Sequence, residues 1–166
     1  MNQAEDPLEQ RNASSEALRL GLILFALYHL GLAAFMAIAP HAFYKDIGPF
    51  EALNRHYIRD TATFTAALGV GFVVALRRPS WRVPVLGVTT VQFALHSLNH
   101  LLDAHKAHPE WTGWFDFGSL LASTLLLAWM LRTAMHLTDP VPASTATTTT
   151  TTSPLTATPL PERNSS

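Results

Sequence analysis

Four apolar runs, each close to 20 residues long, divide this chain, and no other feature limits its possible folds so tightly. They cover about residues 18–39, 56–76, 83–102 and 116–135. A helix rises about 1.5 Å per residue, so each run matches the roughly 30 Å hydrocarbon core of a bilayer. In lipid the backbone must satisfy its own hydrogen bonds, which a helix does within one segment. The predicted fold is therefore all-α, a four-helix transmembrane bundle over residues 14–138 with short connections.

The boundaries follow from local chemistry. Ser14 or Ser15 is a capping residue for the first helix, with Glu16 in its first turn. Residues 1–13 are polar and acidic and are expected to be disordered. Pro40, Gly48 and Pro49 break the chain after the first run, and Phe43, Tyr44 and Phe50 suit a membrane interface. Arg77-Arg78-Pro79-Ser80-Trp81-Arg82 reads as a tight basic turn, and Pro84 fits the first turn of the third helix. Residues 103–115 form a second interfacial loop, with His105, His108, Trp111 and Trp114. Ala37-Ile38-Ala39 resembles a signal cleavage site. The run before it is too long for a signal peptide and lacks a basic leader, and Pro40 follows at once, so a retained span is expected. From Asp139 to Ser166 the chain is a Thr/Pro/Ala tract with six consecutive threonines from Thr147, the composition of a disordered tail.

Charge and cysteine usage remove whole classes of function. The net charge is −1 and no basic run is present, so nucleic acid is not an expected partner. The chain has no cysteine, which excludes disulfides, thiolate catalysis and Cys-type zinc sites. Arg11, Arg19, Arg77, Arg78, Arg82 and Arg132 gather at one end of the spans, against Lys45, Arg55, Arg59 and Lys106 at the other. The positive-inside rule then places both termini in the cytoplasm of a bacterial plasma membrane. The Thr/Pro-rich tail pulls the other way, since such tracts are often glycosylated outside the cell.

Against this apolar background one stripe stands out. Read as a helix, Thr89, Gln92, His96, Asn99, His100 and Asp103 fall within an arc of about 100°. Such an arc is expected to face other helices rather than lipid. On the second span His56, Arg59, Asp60 and Thr63 share a face, His29 lies mid-way along the first, and Asp116, Ser119 and Ser123 open the fourth. All point to the outer half of the bundle. His96 and His100, at i and i+4, could bind one divalent metal ion with Asp60 or His56 completing the set and Asp103 orienting His100. For haem, His29 facing His96 would be the axial pair. The same groups could instead form a packing network, with Arg59 against Asp60 or Asp103 and Asn99 bonded to a neighbouring helix.

The layout of His56 and Arg59-Asp60 opening the second helix, and His96-x-x-Asn99-His100-x-x-Asp103 closing the third, resembles small bacterial four-helix membrane proteins similar to the DoxX-like group. The resemblance covers residues 18–136. It implies an integral membrane fold and carries no catalytic assignment. The functional expectations are accordingly four. The first is a pocket for a metal ion or small ligand, lined by His56, Asp60, His96, Asn99, His100 and Asp103. The others are a metal- or haem-dependent membrane oxidoreductase, a structural subunit of a membrane complex or homo-oligomer, and a proton or solute pathway. The lipid bilayer is the partner common to all four.

Overall fold

The computed structural model describes residues 7–48 and 52–138, and these residues are all-α. Five helices follow one another: α1 (Pro7–Ile38), α2 (Pro40–Asp46), α3 (Arg55–Arg77), α4 (Arg82–Asp103) and α5 (Glu110–Thr138). Short 3₁₀ turns at Pro79–Trp81 and Ala104–Lys106 join the last three. The expected tail from residue 139 and the first six residues lie outside the described residues. Three helices, α1, α3 and α5, are long and apolar enough to cross a membrane. At 22 residues α4 is also long, but Gln92, His96, Asn99 and His100 dilute its apolar content and it is not one of the three.

Two helices run further than the apolar pattern predicts. α1 starts at Pro7, inside the stretch expected to be disordered, because Pro suits a first helical turn and Glu9 complements the N-terminal dipole. α5 starts at Glu110, within the expected loop, for the same electrostatic reason. The first loop also folds, its Pro40 beginning α2. Ser14 and Ser15, expected to cap the first helix, lie inside α1, while Pro84 falls in the first turn of α4 as expected. Asn54 caps α3 by accepting from the Tyr57 N–H at 3.1 Å. At the other end of α3, the Arg82 Nε donates to the Ala75 carbonyl at 3.4 Å.

The helices associate as two antiparallel hairpins, α1 with α3 and α4 with α5. Thinner seams between α1 and α5 and between α3 and α4 close the bundle. Leu18, Leu22, Phe25 and Ala26 of α1 meet Phe72 and Ala75 of α3, Leu86 and Phe93 of α4, and Leu127 and Met130 of α5 in the main core. At the other end Met36 packs on Ile58 and Ala62 beneath Phe43 and Tyr44 of α2. Gly69 lets α3 pass close to α1, since a Cβ there would lie 3.1 Å from the Leu30 backbone nitrogen. The outer faces of α1 and α4 carry apolar ridges as well. Val88, Val91, Leu95, Leu98 and Leu102 form an exposed ridge along α4, and Leu20, Leu24 and Leu27 do the same on α1.

Hydroxyl groups are neutralised inside their own helices. Thr89, Thr90, Ser97, Ser123 and Thr124 each donate to the carbonyl four residues earlier, at 2.7–2.8 Å. Ser97 Oγ also lies 3.2 Å from Thr124 Oγ1 of α5, linking the partners of the second hairpin.

Candidate functional site

Between the two hairpins, at the end closed by α2 and the Ala104–Lys106 turn, lies a cavity of about 640 Å³. That volume falls in the range of small-molecule sites, roughly 300–1,000 Å³. α1 contributes Tyr28, Leu32 and Met36, one residue per turn. α2 and the segment after it supply Phe43, Tyr44, Asp46 and Ile47, and the start of α3 supplies Asn54, Tyr57, Ile58 and Thr61. His96 and His100 enter from α4, and Trp111, Thr112, Phe115, Asp116, Ser119 and Leu120 from α5. The wall is thus mostly apolar and aromatic, with a few convergent polar groups.

His96 and His100 stand one turn apart with ring centroids 4.8 Å from each other, as their spacing requires. His100 Nδ1 faces Asp116 Oδ2 at 4.0 Å, and both side chains are more than four-fifths buried, at 18% and 17% exposed. The expected partner of His100, Asp103, pairs instead with Lys106 at 2.7 Å. The Lys106 ammonium, by its hydrogen bond and charge, holds the Asp103 carboxyl below the ordinary carboxylate range. Any stabilisation from it is present above that ordinary range and is lost as pH falls through the depressed value. Both side chains are half exposed, so solvent screens the pair. Lys106→Ala is expected to leave Tm at pH 7 nearly unchanged; a fall of several degrees would show that the pair anchors the turn.

The polar face of α3 is set outward. His56 and Asp60 pair with each other at 3.4 Å but are 88% and 64% exposed, and Arg59 is exposed beside them. Ile58 and Ala62 take the inward positions, because they pack against Met36 of α1. Asn99 is exposed as well. On α4 the buried seam runs Val85, Thr89, Phe93 and Ser97. The polar arc is centred roughly 50° to one side of it, so His100 reaches the interior while Asn99 turns away.

His29 is 2% exposed yet does not line the cavity. Its Nδ1 donates to the Phe25 carbonyl at 2.8 Å, and the rings of Phe25, Tyr28, Phe72 and Phe93 surround it at centroid distances of 5.2–6.1 Å. It packs in the core as a flat aromatic and is not among the residues that line the cavity with His96, its expected haem-ligand partner. Nor do three His, Asp or Glu side chains converge on a metal-sized point among the described residues. Of the expected metal ligands, only His96 and His100 share a wall.

Sequence reasoning missed the aromatic lining. Tyr28, Leu32 and Met36 recur at i, i+4 and i+8, and Thr112, Asp116 and Ser119 follow at i, i+4 and i+7. Both stripes line the cavity, and the first of them, on α1, is a signal that was available. Comparison with known proteins adds no relative: no family model, no curated protein and no solved structure matches this chain.

Proposed function

We propose that this chain is a four-span integral membrane protein that binds a small, largely apolar ligand in the cavity between its hairpins. The observation that carries this reading is the cavity itself, drug-sized, walled by aromatic side chains and furnished with the His96, His100 and Asp116 cluster. A bundle built only for packing would fill such a volume with side chains, as the Phe72 end of this one does.

The fourth span is α4. Its exposed ridge from Val88 to Leu102 is fit for lipid, while His96 and His100 line the cavity and Asp103 sits at its end. With the Arg77–Arg82 turn cytoplasmic, α2 and the Ala104–Lys106 turn lie outside and the cavity occupies the outer half of a bacterial plasma membrane. The resemblance to DoxX-like proteins is consistent with this arrangement and assigns no reaction to it.

The absence of native cysteine gives a direct test. Ser119→Cys, on the cavity wall, is expected to react with a small membrane-impermeant methanethiosulfonate in intact cells. Leu121→Cys, exposed on the outer surface of the same helix, is expected to be buried in lipid and unreactive. Equal silence at both positions would mean that the cavity is closed to outside solutes, and the reading would fail.

A further inference from the structure

We infer that the ligand is a hydrophobic organic cation and that Asp116 is its counter-ion. This rests on the cavity being a ligand site, and it adds the charge class. The described lining residues include two carboxylates, Asp46 and Asp116, and neither lysine nor arginine. Asp116 Oδ2 is buried without a hydrogen-bond partner among the described residues, and the nearest basic group, His100 Nδ1, stops at 4.0 Å. A buried carboxylate oxygen with unused acceptor capacity favours a positive charge brought beside it.

The walls favour the same charge. Tyr28, Tyr57, Trp111 and Phe115 present rings from three different helices. The face of an aromatic ring carries negative potential, so rings that solvate the apolar body of a ligand also attract a cation within about 6 Å. An anion would meet two carboxylates, with no lysine or arginine among the described lining residues to offset them. Among the described residues no three His, Asp or Glu side chains gather to hold a small, strongly hydrated metal ion. A delocalised onium or a lipophilic amine, with its charge on a bulky apolar frame, meets none of these obstacles.

Two ions of nearly identical shape and opposite charge, tetraphenylphosphonium and tetraphenylborate, separate charge from size. The full chain, purified in a mild detergent at pH 8, is titrated with each while intrinsic tryptophan fluorescence and Tm are followed, Trp111 being in the cavity wall. Tetraphenylphosphonium is expected to bind at least about tenfold more tightly than tetraphenylborate and to raise Tm. Asp116→Asn is expected to abolish most of that preference, and Asp46→Asn, at the more exposed of the two carboxylates, to weaken it less. The unliganded Tm of each variant reports whether it has folded. Should Asp116→Asn fail to fold, Asp46→Asn and the wild-type preference still decide the matter. Equal binding of the two ions, or tighter binding of tetraphenylborate, overturns the cation assignment. If Ser119→Cys is accessible in that case, the cavity remains a ligand site of another charge class. Wild-type preference unaltered in a folded Asp116→Asn variant overturns the role of Asp116.

Discussion

Phe72→Ala is expected to cost this protein about 3 kcal/mol of stability, the largest effect of any single truncation. Phe72 is fully buried and lies at the centre of the aromatic cluster, stacked on Phe25 at 5.6 Å and tilted against His29 at 5.3 Å. Phe→Ala changes in the cores of soluble proteins cost about 3–5 kcal/mol, part transfer from water and part cavity. Inside a membrane the transfer part shrinks, because lipid is as apolar as the core, and the lost packing remains. The lower end of the range is therefore expected. The hole would open beside His29, whose ring depends on Phe72 and Phe93 to fill the space around it. Unfolding of the purified protein by graded denaturing detergent measures the change. A loss below about 1 kcal/mol would mean that the two hairpins close over the gap.

The second large effect is expected at Gly113. This residue is buried in the first turns of α5, and a Cβ added to it would collide with the backbone carbonyl of Ala104 in the preceding 3₁₀ turn. Backbone cannot yield as a flexible side chain does, so Gly113→Ala must push the start of α5 away from the end of α4. The strain expected is about 1–3 kcal/mol, typical of overpacking. The displacement matters more than the energy, because Trp111, Thr112, Phe115 and Asp116 all belong to that turn and the next and all line the cavity. Gly113→Ala is expected to lower Tm and to abolish the binding preference for tetraphenylphosphonium together. Unchanged Tm with unchanged binding would show that the turn absorbs the methyl group. Gly21→Ala provides the contrast: its added methyl would meet only the flexible Met130 side chain, so a much smaller effect is expected.

The long helices were legible because a run of about 20 apolar residues admits few conformations. Their ends were not, since the polar residues around Pro7 and Glu110 carry no hydrophobic period to follow. The cavity was legible by halves. His96 and His100 announced themselves by spacing and by polarity on an apolar helix. His56 and Asp60 gave an equally clear arc and yet face outward, because the rotation of α3 is set by the small and apolar residues that pack on α1, not by its polar face. A helical wheel shows which residues travel together and contains nothing about which way they turn. The aromatic lining escaped for a related reason. Tyr57, Trp111 and Phe115 near span ends match the composition of an interfacial belt, Tyr28 lies mid-span as one isolated ring, and only their convergence across the two hairpins distinguishes a cavity wall from an anchor.

The threonine and serine hydroxyls bonded to their own helices leave each helix presenting contour rather than chemistry to its neighbours. Beyond the Ser97–Thr124 and His100–Asp116 links between α4 and α5, the relative pitch and roll of the helices are encoded by bumps and hollows, such as the hollow at Gly69 that receives Leu30. Tolerance to substitution along these seams should then sort by molecular size: Thr90→Val, nearly equal in bulk, passes unnoticed, while Ala62→Leu, equally apolar but larger, forces the α1–α3 hairpin apart. Such a bundle resembles a stack of shaped stones laid without mortar, which a small wedge in the right joint can reopen and the same wedge, withdrawn, lets settle.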